Sequence, residues 1–223
     1  MGKLLLMDSL GSRVSEVLSR RRRRLSSLEC KWILQHVSMS PESCVLDIGT
    51  GPGFLASALS SENGLRVWGV DVQDIRQVKV PLCLFDGETF PFRNGCFDTV
   101  ILSFVLHHTQ RKKQILSECI RVANRWIVVF EDVADSWFDK LLFALHGYGY
   151  NTLYGIAEHP QTFSTDEWIE FFKLFLTTKL SIRTVPVGRL SFAWFFPIAR
   201  RLFLLDLNPI GELTGMSDNR SVQ

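Results

Sequence analysis

Four short clusters hold the residues best able to do chemistry in this chain. The first is Val45-Leu46-Asp47-Ile48-Gly49-Thr50-Gly51-Pro52-Gly53. Its three glycines make a turn that side chains would obstruct, and a backbone that bare can lie against a ligand. Glycine turns that open a helix bind nucleotide phosphates. The spacing here is Gly-x-Gly-x-Gly, however, and not the Gly-x-Gly-x-x-Gly of dinucleotide folds, which points to a ligand without a pyrophosphate. The second cluster is Gly69-Val70-Asp71, with Asp71 lying 22 positions beyond Gly49. An acid at the tip of a second strand, about 20 residues past such a turn, accepts hydrogen bonds from both hydroxyls of a ribose; the plainer reading is an ordinary strand-end acid. The third, Asp86-Gly87-Glu88 followed by Phe90-Pro91-Phe92, offers a carboxylate for the exocyclic amine of an adenine and apolar neighbours for the ring face. The fourth, Ser103-Phe104-Val105-Leu106-His107-His108, comes off the end of a fourth strand and carries two candidate bases.

These clusters need elements that bring them to one rim. Apolar runs at 44–48, 66–70, 82–85, 97–102 and 126–130 predict five strands, separated by helices at 54–63 and 111–122. Asn63-Gly64 supplies a helix stop. Strands alternating with helices make a parallel sheet, and ligands of open parallel sheets bind beyond the carboxyl ends of the strands. All four clusters fall there. Before the first strand, residues 12–37 predict a helix that contains Arg20 to Arg24, and Pro41 ends this leader. After the fifth strand the alternation stops. Helical segments near 136–146 and 165–176, the latter with Thr165 as N-cap, flank an irregular piece containing Tyr148, Tyr150, Tyr154 and His159. Such an insertion, near 134–178, would cover a ligand; the alternative is a purely structural piece. Two more strands, near 180–187 and 201–207, close the sheet. The expected organisation is thus an N-terminal helical segment over 1–40, one α/β domain over 41–207, and a polar tail over 208–223.

Composition narrows the class. Among 223 residues, five of the 25 Lys and Arg lie in Arg20 to Arg24, leaving 20 basic against 23 acidic residues elsewhere. The positive character is local, so bulk affinity for nucleic acid is not implied. The plain reading of the arginine run is a solvated helix face; the alternatives are an anionic-substrate patch, RNA or membrane contact, or a nuclear signal. Five cysteines (Cys30, Cys44, Cys83, Cys96, Cys119), none in a Cys-x-x-Cys pair, fit a reducing compartment and give zinc no support. The expected address is cytoplasmic, with mitochondrial or nuclear alternatives. The first ten residues lack a basic start and carry Asp8, which makes a poor secretory signal. The apolar stretch 190–207 is interrupted by Pro197, Arg200, Arg201 and Asp206, so no membrane span is expected.

Taken in order and at these spacings, the four clusters together with Phe97-Asp98-Thr99-Val100 resemble class I S-adenosylmethionine-dependent methyltransferases of the "methyltransferase type 11" kind, over about residues 44–132. The resemblance implies a Rossmann-like, doubly wound seven-stranded sheet, mostly parallel with one antiparallel strand, and a helical insertion after the fifth. It implies S-adenosylmethionine as cofactor, S-adenosylhomocysteine as product, and no metal. By position it implies that Asp47, Gly49, Thr50, Gly51 and Gly53 lie near the methionine part, Asp71 and Val72 at the ribose, Asp86 and Gly87 near the adenine, and Ser103 beside the methionine amine. His108, and after it His107, would face the acceptor. One departure is Ala123-Asn124-Arg125, where a Pro-Gly-Gly turn is usual.

Methyl transfer from a sulfonium is an in-line displacement served by alignment and dehydration, and positioning supplies roughly 7–11 kcal/mol in well-oriented systems. A base is needed only if the acceptor loses a proton; besides the two histidines, Glu131, Asp132, Tyr148 and His159 are candidates. For the histidines, the alternative role is to cap the loop. The Asn-Pro-Pro-Tyr of amino-group methylation is absent after the fourth strand, where Ser103-Phe104-Val105-Leu106 stands. A small-molecule or lipid-like acceptor is therefore expected, which the aromatics Phe192, Trp194, Phe195 and Phe196 would suit unless they are strand core. The alternatives are an RNA or protein methyltransferase using Arg20 to Arg24, or a non-catalytic binding subunit of the same fold.

Overall fold

A computed structural model describes residues 2–143, 163–175, 181–190 and 198–208. In chain order these form α1 (Gly2–His36), β1 (Cys44–Ile48), α2 (Phe54–Asn63), β2 (Arg66–Asp71), β3 (Leu82–Leu84), β4 (Phe97–Ser103), a 3-10 turn (Leu106–His108), α3 (Lys112–Val122), β5 (Ala123–Val133), helical residues 137–143, α4 (Thr165–Lys173), β6 (Ser181–Leu190) and β7 (Ile198–Asp206). The strands hydrogen-bond into one sheet of order β3-β2-β1-β4-β5-β7-β6. The first five run parallel, while β7 is antiparallel to both β5 and β6. The expected seven-stranded, mostly parallel sheet is therefore the one found.

Alternation along the central strands divides the core into two layers. Val45, Ile101, Val128, Phe130, Leu202 and Leu204 face Cys30 and Ile33 of α1, Val37 just after it, and Leu55 and Leu59 of α2. Their sequence neighbours Leu46, Ile48, Val100, Leu102, Ile127, Val129, Phe203 and Leu205 face α3 and Trp168 and Phe172 of α4. Both faces of the central strands are buried, which explains why those strands read as apolar runs rather than as alternating ones.

Several boundaries differ from expectation for local reasons. Ala123-Asn124-Arg125 is not a turn: α3 ends at Val122 and β5 begins directly, with Ala123 paired to Phe97. The N-cap of α4 is Ser164 rather than Thr165. Ser164 and Glu167 form a reciprocal capping box, and Thr165 instead hydrogen-bonds Asp135 through its amide and hydroxyl. β6 runs to Leu190, past a register shift between Pro186 and Gly188 that an edge strand tolerates. α1 begins well before residue 12, at Gly2. The aromatics at 192–196, the motif around Tyr148 to His159 and the tail beyond Asn208 lie outside the described residues.

Candidate active site

The strand order reverses between β1 and β4, and the helices that follow them, α2 and α3, pack on opposite faces of the sheet, which leaves a crevice at the carboxyl ends. A cavity of about 390 Å³ opens there, lined by Ile48 and Gly49 after β1, Asp71 and Val72 after β2, Phe85 and Gly87 after β3, Phe104, Val105, His108 and Thr109 after β4, and Ile115 of α3. Its size lies within the range of small-ligand pockets, and its walls are apolar except at a few points. The polar points are the Asp71 carboxylate, the His108 ring and Thr109.

Asp71 anchors the glycine turn. Its Oδ2 accepts from the Gly51 amide at 2.8 Å, and its Oδ1 from the amides of Val72 and Gln73 at 2.7 and 3.3 Å. Gly49 sits at φ +65°, and a Cβ there would come within 2.7 Å of a Val105 methyl. The turn is thus closed by a residue of the fourth-strand loop, and only glycine lets the two approach. Over Gly51 no atom of the described residues would lie closer to an added Cβ than a backbone oxygen at 3.8 Å, so no described side chain fills that space. Thr50 turns away from the cavity: its hydroxyl donates to the Asp47 carbonyl, and it packs on Gly69, where a Cβ would clash with it. Gly53 opens α2 against Val78 and Val80.

Asp86 departs from its expected place. The cavity reaches Gly87 and not Asp86, which is exposed and whose Oδ1 accepts from the amides of Glu88 and Thr89. Those bonds hold its pKa below the usual carboxylate range. A short acid two residues before a free amide makes its own turn, and here that turn engages the carboxylate oxygen.

The two histidines separate in role. His108 lines the cavity, whereas His107 is buried with its Nδ1 2.5 Å from Glu131 Oε2. The other Glu131 oxygen accepts from the Leu106 amide at 2.7 Å. Burial pushes the His107 pKa down, the Glu131 carboxylate pushes it up, and the carboxylate prevails. Glu131 is thus committed to holding the histidine loop. Asp132 is committed to Arg200, at 2.9 Å in a buried pair. Of the other base candidates, Tyr148 and His159 lie outside the described residues.

The methyltransferase domain family model matches residues 46–125, the stretch from β1 to the start of β5 that supplies these strand ends. The ubiquinone/menaquinone biosynthesis C-methyltransferase UbiE of Cupriavidus necator is 30% identical over 104 residues, which are 41% of this chain and 43% of that protein. Residues 46–125 of this chain are thus similar to a methyltransferase domain. It aligns with less than half the length of the curated relative. Among solved structures, the YcgJ protein from Bacillus subtilis is similar at TM-score 0.61 and 17% identity, over 82% of this chain and 98% of that one. A putative methyltransferase in complex with the Haloferax volcanii Trm112 activator is similar at TM-score 0.64 and 14% identity, over 85% and 94%. At those identities the likeness is one of fold. The family draws its methyl group from S-adenosylmethionine.

Around the crevice several contacts join residues in ways that their pattern along the sequence did not announce. Phe104 is the one described non-glycine residue at positive φ, +59°. Its amide donates to the Phe130 carbonyl, and its ring lies under the guanidinium groups of Arg200 at 4.5 Å and Arg22 at 5.9 Å. No residue-type pattern announces a strained phenylalanine. The arginine run is also not a uniformly solvated face: Arg20 pairs with Glu16, Arg22 turns inward toward Ser103, and Arg23 lies over the Phe54 ring. Asp47 is buried with one oxygen, Oδ2, lacking a partner among the described residues. Burial pushes its pKa up to about 7 against the opposing pull of Arg22, with Glu29 and Asp71 adding to the rise. Cys119 is buried and its thiol pushed up, as suits a small hydrophobe. Among the described residues no cluster of three or more His, Cys, Asp or Glu is arranged to hold a metal ion, and no helix is long and apolar enough to cross a membrane.

Proposed function

We propose that the chain is an S-adenosylmethionine-dependent methyltransferase acting on a small-molecule or lipid-like acceptor. The observation that carries the reading is the cavity at the β1/β4 switch point, with Asp71 at its rim and, among the described residues, no side chain over Gly51. The residues fit the cofactor. Asp71 has lone pairs left for ribose hydroxyls, Val72, Phe85 and Ile115 offer apolar walls to a base, and the unpartnered oxygen of buried Asp47 calls for a donor. S-adenosylmethionine, when bound, supplies a methyl group on a sulfonium that leaves as a neutral thioether. The chain's own residues then have to align the acceptor, keep water out and, where the acceptor is protic, remove a proton. Phe104 and Val105 wall the crevice, and His108 is the ring that lines it, with its loop held through the His107–Glu131 contact. In this reading Asp86 acts on the adenine only indirectly, by shaping the turn that presents Gly87.

The acceptor class is supported by the apolar lining, by Ser103-Phe104-Val105-Leu106 in place of Asn-Pro-Pro-Tyr, and by the exposed Trp137, Phe138 and Leu141 after β5. The inward turn of Arg22 toward Ser103 and the stacking of Arg23 on Phe54 take two of the five arginines away from a polyanion and weaken that alternative. Calorimetry should detect S-adenosylhomocysteine binding that Asp71→Ala weakens roughly 10- to 100-fold, the scale of a lost pair of charge-assisted hydrogen bonds. Label from S-adenosylmethionine in a cell extract should enter the small-molecule or lipid fraction; label in RNA or protein alone would refute the acceptor class. His108→Ala should abolish transfer to a protic acceptor while leaving cofactor affinity nearly intact.

A further inference from the structure

A second group of polar side chains lies beside the cavity, where α1 passes the carboxyl ends of β1 and β4. Arg22 donates to Glu29 Oε1 at 2.7 Å and to Ser103 Oγ at 3.2 Å. Ser26 and Glu29 stand four and seven residues beyond it, on the same side of the helix. Ser26, Glu29 and Asp47 are each at most 2% exposed. Yet Ser26 Oγ, Glu29 Oε2 and Asp47 Oδ2 have no hydrogen-bond partner among the described residues. Oxygens shut away from water and left unpaired are costly to bury, so three of them along one face call for an explanation. The group borders the cavity: Ile48 and Gly49, next in sequence to Asp47, line the cavity, and so does Phe104, whose ring Arg22 overlies at 5.9 Å.

The chemistry of the set specifies its guest. Two carboxylates with free oxygens ask for a cation with several N–H donors. A guanidinium held by a single carboxylate oxygen and a hydroxyl retains donors for an anion, which its planar fork grips well. A ligand that carries an ammonium and a carboxylate on one carbon answers both demands. We propose that Arg22, Ser26 and Glu29 of α1 complete the cofactor site by holding its amino-acid end, Arg22 taking the carboxylate and Glu29, with Asp47, the ammonium. This rests on the S-adenosylmethionine reading and extends it to α1, which lies outside the matched residues 46–125. The inward turn of Arg22 is then a binding feature, and the helix that carries it is part of the site.

The test compares two ligands that share the adenosyl and sulfur atoms, S-adenosylhomocysteine and 5′-methylthioadenosine, of which only the first has the amino-acid end. Calorimetry on the full chain should show wild type binding the first more tightly. Arg22→Ala combined with Glu29→Gln, which leaves no buried charge stranded, should weaken S-adenosylhomocysteine roughly 10- to 100-fold and leave 5′-methylthioadenosine within about twofold. Arg22→Lys, keeping the charge but not the fork, should fall between. Equal loss for both ligands would show a merely structural role. Unchanged or tighter binding of S-adenosylhomocysteine would show that Arg22 occupies the ammonium's place, and either result overturns the proposal. If wild type binds 5′-methylthioadenosine as well as S-adenosylhomocysteine, the amino-acid subsite fails while the cofactor reading survives; if it binds neither, both fail.

Discussion

At Phe104 and at Asp47 the fold holds a residue against its ordinary preference. A left-handed backbone costs a residue with a Cβ roughly 1–2 kcal/mol, and at Phe104 that cost is offset by the Phe130 hydrogen bond and the two overlying guanidinium groups. Truncation should therefore invert the usual order: Phe104→Gly should be more stable than Phe104→Ala by about 1 kcal/mol in chemical denaturation, although glycine is normally the worse residue. Without a ligand Asp47 keeps its proton well above the ordinary carboxylate range, burial pushing its pKa up to about 7, and a cation beside it would favour the ionised form. For an acid whose folded pKa is raised, the stabilising contribution is complete below the unfolded pKa, near 4, and is lost as pH rises toward the folded one. Asp47→Asn mimics the neutral form. Its stability relative to wild type should thus improve between about pH 4 and pH 7, by up to about 1.4 kcal/mol per pH unit, while S-adenosylhomocysteine affinity falls. Melting curves at several pH values, beside calorimetry at one, check both halves; a variant destabilised equally at all pH values would count against a neutral, buried Asp47.

At the scale of elements, each strand end contributes one piece of the crevice, and the connections lock the pieces to one another. Gly49 meets Val105, Asp71 ties Gly51, and Glu131 at the end of β5 holds the turn from Leu106 to His108. The α4 helix supplies none of these contacts, though its Trp168 Nε1 donates to the Asp132 carbonyl, next to Glu131, at 3.4 Å. It is fixed by its capping box and by Trp168 and Phe172, both fully buried against the sheet. Ser164→Ala should cost about 1 kcal/mol of stability, read as a lower midpoint in urea with an unchanged slope, and should leave S-adenosylhomocysteine affinity alone. A loss of affinity would mean that α4 communicates with the crevice.

At the scale of the molecule, seven strands in one hydrogen-bonded sheet and two flanking layers of helices make the crevice part of the same cooperative structure as the core. A ligand bound only by the folded chain should stabilise the whole. S-adenosylhomocysteine at 100 times its Kd adds about 2.7 kcal/mol, which for a chain of this size raises Tm by roughly 5–10 °C in a single transition. A biphasic melt in which only the later phase shifts would show that α1 or the β6–β7 pair unfolds separately.

The sequence by itself determined the sheet and most of its rim. The apolar runs, the Gly49-Thr50-Gly51-Pro52-Gly53 turn and the acid at Asp71 are local signals, because strand burial, turn conformation and strand-end chemistry are decided by residue types at short spacing. What tertiary structure alone decided is every contact between distant segments. Arg22 reaches Ser103 across 81 positions and Arg200 pairs with Asp132 across 68. Asp86 is taken by its own turn and Glu131 by the histidine loop, outcomes set by which partner the fold brings nearest. A side chain's type states what it is able to bind, but which of its partners lies within about 3 Å is settled only when the layers pack.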